Sequence, residues 1–318
     1  MSRSVLARLD DALRPEAPAE RLAAVRLLTG TFALVYLLAR AVAFVGLGRL
    51  PAGQFAPVGV VRVLSAPLPF GVVVAQTIAA IALAVPFTLG LRFAVTGPLF
   101  AAVLLWITTY RSSFGMIFHT ENLLALHVIA LALTDAAAAW SLDAKRAPVP
   151  APPARRFGAA LTTLTALTTF AYALAGVAKL RVSGLDWATG EALRNHIAHD
   201  NLRKALLGDP HSPIGGQLVQ YGALFPPLAA LTFVVELAAP IALFHRKFGQ
   251  IWALAAWGFH AGVLLTMWIL FPYPLSGIAL ASLFEPERKL APLARRLGLA
   301  APEAPTAGGP HDSPPREG

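Results

Sequence analysis

Seven stretches of this chain run for about 20 residues with almost no charge. They cover roughly 23–46, 70–89, 93–110, 117–139, 158–180, 222–244 and 249–271. A helix rises about 1.5 Å per residue, so about 20 apolar residues match a hydrocarbon core about 30 Å thick. No single soluble core can absorb this content: 56% of the residues are hydrophobic, 14% are charged, and the mean hydropathy is +0.62. A soluble enzyme and a disordered chain are both excluded by that balance. Pro272 to Phe284 forms an eighth, shorter run, either a half-span or the start of a tilted crossing. The first run begins too late and is too long for a cleaved signal peptide, and no small-residue cleavage site follows it. The expected fold is therefore all-α, a polytopic membrane helix bundle with about eight spans.

The net charge of +9 is spread between the apolar runs instead of being gathered in one patch. That pattern flanks membranes and does not predict nucleic-acid binding. With eight crossings, one side of the bilayer collects fifteen Lys and Arg and the other seven; with seven crossings both sides hold eleven. The positive-inside rule thus favours eight crossings in the cell membrane, with the N- and C-termini cytoplasmic. The expected layout is a cytoplasmic N-terminal segment (1–22), a transmembrane domain (23–286) and a cytoplasmic, mostly disordered tail (287–318). The tail becomes Pro/Gly-rich and aperiodic from about Ala301, and the cytoplasmic 140–157 loop carries the stiff spacer "APVPAPPARR". On the exterior side, the long 181–221 segment contains apolar residues at Ala192, Leu193, Ile197, Leu202 and Leu206, which predicts an amphipathic surface helix over 188–206.

Ionisable groups are costly inside a span, so each is a functional candidate. Arg26, Arg40, His119, Lys179, Glu236 and His260 stand out, followed by Glu121 and His127. Lys179 ends the fifth run and His119 opens the fourth, so the topology puts both near the exterior end. Lys179 is either a snorkelling lysine or a partly desolvated base. His119 is either an interfacial hydrogen-bonding residue or its partner in a shared site, with Glu121 nearby. A mid-span Glu236 must be paired or protonated, and Arg26 or Arg40 is the expected structural partner. His260, in "WGFHAGVLL", either lines the same cavity or bonds a backbone carbonyl.

Other chemistries find little support. His196 and His199 in "NHIAHDN" share a helical face, yet no HExxH accompanies them, and no metal is expected. The absence of cysteine excludes disulfides, thiolate metal sites and cysteine nucleophiles. No Walker loop, glycine-rich nucleotide fingerprint, Ser/His/Asp order or haem motif is present.

Three segments in order, "IFHTENLLALHVIALALTDAAAAWSLDA", "YALAGVAKLRVSGLDWATGEALR" and "VELAAPIALFHRKFGQIWALAAWGFHAGV", resemble the HTTM family. These are bacterial membrane relatives of the vitamin K-dependent gamma-carboxylase, and the likeness covers roughly residues 20–285. The resemblance implies that Lys179, in "AGVAKL", is the base that deprotonates a hydroquinone. It implies that His119, in "FHTENLLAL", supports the quinol oxygen chemistry, and it adds His260 as a third catalytic candidate. Glu236, Arg26, Arg40 and Glu121 then become structural or supporting residues. The implied cofactor is a reduced naphthoquinone, vitamin K hydroquinone or menaquinol, acting with dioxygen and carbon dioxide. The implied partners are the lipid bilayer, the lipid-soluble quinol, and an exported peptide or partner protein. No counterpart of the carboxylase's lumenal substrate-binding domain is expected, so the acceptor is expected to differ or to be supplied by a partner.

The alternative is a non-catalytic membrane protein, a small-solute permease or an accessory factor for an exported peptide. Transporters favour inverted repeats and broken helices. The sequence has no repeat, and the Pro272–Pro274 break is the one feature that fits. Geometry separates the readings: an enzyme needs a closed apolar pocket at Lys179, and a transporter needs a hydrated path.

Overall fold

Inside hydrocarbon a chain must satisfy its own backbone, and a helix does so within one segment. The computed structural model describes residues 4–117, 119–146 and 151–299, with His119 and Thr120 described by backbone alone. Among the described residues the regular elements are all helical. In chain order they are α1 (Val5–Leu13), α2 (Ala19–Gly46), α3 (Phe70–Leu89), α4 (Phe93–Ser112), α5 (His119–Ala132), α6 (Arg155–Ser183), α7 (Glu191–Leu207), α8 (Pro213–Leu218), α9 (Phe225–Leu237), α10 (Arg246–Met267), α11 (Pro272–Leu275) and α12 (Pro286–Arg296). Short 3₁₀ turns link several of them.

Five of the described helices are long and apolar enough to cross a membrane: α2 with the turn to Arg49, α3, α4, α6 continued to Thr189, and α10. Glu121–Ala132 and Gly222–Leu237 are apolar but shorter. Large apolar side chains point outward, Val42 at 87%, Leu174 at 68% and Leu254 at 66% exposure. Such surfaces are stable against lipid and not against water.

Helix ends follow local chemistry. α3 stops at Gly90, whose φ of +60° gives the left-handed cap that glycine tolerates best. A Cβ there would also lie 2.5 Å from Ser141. The start of α4 is capped from far along the chain: Asp143 accepts from the Arg92 and Phe93 amides at 2.8 and 2.7 Å. At the far end of α10, Asn201 Nδ2 donates to the Thr266 carbonyl (2.8 Å) and Lys204 Nζ to that of Met267 (2.6 Å). α7 and α8 thereby serve as the cap of α10, whose last carbonyls lack partners within the helix.

The bundle has two ends. Near one, Arg21 of α2 meets Glu285 and Glu287, Arg246 at the start of α10 meets Glu285, and Arg155 of α6 holds Asp10 of α1. At the other, the backbone pairs Phe55 with Phe114, and α8 sits on the last turn of α10. The main apolar core joins α2 through α6 and includes Phe87, Phe93 and Phe100. A second cluster around Tyr172 and Trp252 joins α6, α9 and α10.

Two departures from the sequence reading have physical reasons. The run expected to continue to residue 139 leaves the α-helix after Ala132. Arg26 stabilises the unwound turn, with Nη1 donating to Ala136 O (2.7 Å) and Nη2 to Trp140 O (2.5 Å). The eighth run is not one helix: α11 has four residues and gives way to a 3₁₀ stretch, Ile278–Leu283. It still threads the protein interior, with Tyr273 meeting Thr29 and Ser282 meeting Thr165. Irregular backbone is tolerated there because protein, not lipid, surrounds it. The segment beyond residue 286 begins as an ordered helix, since α12 packs Ala294 against α2 and Trp140. Residues 300–318, including the Pro/Gly-rich tail, and 147–150 of the spacer lie outside the described residues. Over the stretch expected to form an amphipathic surface helix stands α7, in which Ala192, Leu193 and Ile197 pack inward but Leu202 and Leu206, expected on the same apolar face, are exposed.

Candidate functional site

Lys179 lies one turn before the end of α6 and Glu236 one residue before the end of α9. The two helices pack closely because Gly176 sits against Glu236 and Leu237, where a Cβ would come within 3.0 Å of Glu236 Cβ. Lys179 Nζ forms an ion pair with Glu236 Oε1. The Glu236 side chain is 3% exposed and that of Lys179 21%. The sequence reading assigned Glu236 to Arg26 or Arg40; Lys179 takes that place. The ammonium also lies 4.9 Å from the centre of the Trp187 ring and 5.6 Å from that of Phe259. Both aromatic faces favour the cation, and Trp187 is fixed by donating to Thr232 Oγ1 at 3.0 Å.

Glu236, though not Lys179 itself, is among the residues that line a cavity of about 490 Å³ between α5, α6, α9 and α10. Leu123, Leu126, Phe259 and Phe271 supply apolar wall, and Tyr172, Glu236 and His260 the ionisable groups. Three buried polar atoms of this wall have no hydrogen-bond partner: Tyr172 Oη, Glu236 Oε2 and His260 Nδ1. Each such atom costs about 1–3 kcal/mol if it stays unsatisfied. All three belong to residues that line this one cavity, whose outline is otherwise largely apolar, as small-molecule sites are. The imidazole of His260 is held between the Tyr172, Phe259 and Phe271 rings, with centroids 5.7, 5.3 and 5.0 Å away. Tyr172 was not singled out from the sequence. Its signal was available: it precedes Lys179 by seven residues, two helical turns on one face.

The other candidates separate from this chamber. Glu121 is buried and pairs with Arg111, and the Tyr36 hydroxyl donates to it. Arg40 is exposed and lines a different cavity with Tyr36 and Arg111. Arg26, fully buried, holds carbonyls, as described above. His127 belongs to a buried polar string, with Nδ1 at 2.8 Å from Tyr273 Oη and Nε2 at 3.0 Å from Thr168 Oγ1. His119 opens α5, one turn before Asn122 and Leu123 of the chamber wall; its side chain lies outside the described residues. Among the described residues no three His, Cys, Asp or Glu side chains are grouped to hold a metal. His196 instead packs on the Trp187 ring at 6.0 Å.

No curated protein and no solved structure gives a significant match to this chain. The model of the HTTM domain, by contrast, matches residues 14–287, from the end of α1 into α12. It takes in the apolar helices, the Lys179–Glu236 pair and the chamber beside it. The chain therefore belongs to the HTTM domain family.

Proposed function

We propose that the protein is a quinol-dependent membrane enzyme, carboxylase- or oxygenase-like, with Lys179 as base and His119 and His260 beside it. The observation that carries this reading is the chamber: three unpartnered polar atoms in an apolar wall, next to an ion-paired lysine. A reduced naphthoquinone fits that description, with oxygens for the polar atoms and a flat ring for the apolar walls. When bound it would supply the electrons that reduce dioxygen. The chain's own residues would bind it, exclude water and manage a proton.

An ammonium paired with a carboxylate is not itself a base. It becomes one when the proton between Nζ and Oε1 rests on Glu236, leaving a neutral amine. Burial favours this neutral arrangement more than water does. Glu236 is thus the proton partner of Lys179. His260 Nδ1 and Tyr172 Oη hold and orient ligand oxygens, and the Phe259 and Phe271 rings keep the chamber dry. Position 119, one turn before the wall residues of α5, suits a second polar contact.

In the same reading the bundle makes eight passages, counting α5, α9 and the threaded 272–284 segment. The end bearing Arg21, Arg155 and Arg246 is cytoplasmic, and the chamber lies in the exterior half, where the acceptor, an exported peptide or another molecule, arrives. The test uses the full chain in lipid nanodiscs supplied with a chemically reduced, prenylated naphthoquinone. Dioxygen uptake is expected with the parent protein and is lost in Lys179→Ala, which still folds but melts lower because the buried Glu236 carboxylate loses its partner. Equal uptake by a folded Lys179→Ala protein removes Lys179 as the base, and no uptake by the parent removes the quinol reading.

A further inference from the structure

The chamber is one of two cavities that share the Phe271 ring. The second, of about 510 Å³, is lined by Tyr36, Arg40, Arg111, Ile117, Leu270 and Phe271 among others. Its electrostatics are one-sided. The charge of Arg111 is met by Glu121, which lies behind the wall and is 1% exposed. Arg40 makes no hydrogen bond or ion pair with any described residue, and among the described residues no acidic side chain lines the cavity. Arg40 and Tyr36, four apart on α2, share a helical face. Arg40 is itself exposed, and so are Leu38 and Val42 on either side of it, within an outward apolar surface. Arg40 lies six residues before the end of α2, and a cation there is costly unless an anion meets it or its side chain reaches the interface. The low-dielectric walls strengthen its pull on an anion. A guanidinium presents a planar fork of N–H donors that matches carboxylate and phosphate oxygens.

We infer that this cavity binds one oxyanion, a carboxylate or a phosphate ester, carried on an aliphatic chain that enters from the lipid. Arg40 holds the oxyanion, and Ile117, Leu270 and Phe271 contact the chain. Arg40 is then a binding residue and not the structural ion-pair partner that the sequence suggests. The inference does not depend on a quinol in the neighbouring chamber.

The full chain, purified in a neutral detergent, is titrated by native mass spectrometry with oleate and with dioleoylphosphatidylglycerol. Oleyl alcohol and dioleoylglycerol serve as their uncharged counterparts. One equivalent of an anionic probe is expected to bind, at least about tenfold more tightly than its neutral counterpart. Arg40→Gln removes that preference, Arg40→Lys keeps part of it, and Leu270→Trp, which fills the cavity, removes binding while leaving Arg40 in place. Binding of oleate alone identifies a carboxylate site and of phosphatidylglycerol alone a phosphate site; either supports the inference. Equal affinity for charged and neutral probes, or unchanged binding in a folded Arg40→Gln or Leu270→Trp protein, overturns it.

Discussion

A fully buried guanidinium is stable only where its N–H groups find oxygens, and Arg26 finds them on the carbonyls of an unwound turn. Arg26→Ala leaves those carbonyls unsatisfied and opens a void, so thermal unfolding in detergent should show a loss of about 3 kcal/mol or more. Arg26→Lys should recover part of this, because a single ammonium cannot span both carbonyls. The Lys179–Glu236 pair makes a second prediction. Glu236→Gln strands the ammonium and should lower stability by roughly 3 kcal/mol, while Lys179→Met combined with Glu236→Gln recovers part of the loss. A double-mutant cycle on unfolding temperatures checks it; additive losses would mean that the two groups do not interact. At this scale the sequence disclosed which residues were unusual but not whom they meet. Depth along a helix follows from residue count, so Lys179 and Glu236 stood out as charges within apolar runs. Azimuth around the bundle does not follow, which is why the sequence points Glu236 toward Arg26 or Arg40 while the fold pairs it with Lys179.

Elements were legible where local chemistry ends them. The predicted run 70–89 coincides with α3, because Pro69 precedes the helix and Gly90 closes it. The end of α5 was not legible. The Ala-rich stretch 136–139 is a good helix former, and the force that unwinds it comes from Arg26, 110 residues away. Close approach between elements adds a prediction. A Cβ at position 215 would lie 1.8 Å from the Thr266 carbonyl oxygen, so Gly215→Ala should lift α8 from the end of α10. Hydrogen–deuterium exchange should then rise at the last turn of α10 and in α7, with the α2–α3 pair unchanged. Uniform protection across all four would show that α8 does not cap α10.

The whole molecule is tied at one end by Glu285, which accepts from Arg246 and pairs with Arg21 and Arg288. The hydrogen bond from Arg246 outweighs desolvation there and, with the charges of Arg246, Arg21 and Arg288, holds the carboxyl below the usual carboxylate range. A depressed value means that its stabilisation is present above the unfolded value, about 4.3, and is lost as pH falls through the lowered folded value. Glu285→Gln should therefore melt below the parent at neutral pH and converge with it in acid; a pH-independent difference would contradict the tie. Orientation can be read directly, because the chain has no cysteine and any introduced thiol is unique. Cysteines at Lys145 and at His211 should react with a membrane-impermeant maleimide from opposite sides of the bilayer, with His211 labelled from outside. Labelling of both from one side would contradict the arrangement of passages.

The central claim is that a lipid-soluble quinol occupies the chamber between α5, α6, α9 and α10. A prenylated naphthoquinone carrying a photoreactive group, cross-linked in nanodiscs and mapped by peptide mass spectrometry, tests it most directly. The account predicts adducts on chamber-wall residues such as Leu126, Tyr172, Phe259 and His260, competed away by the unlabelled quinone. Adducts confined to the outward faces of α3 and α4, or labelling that the quinone does not displace, would contradict it.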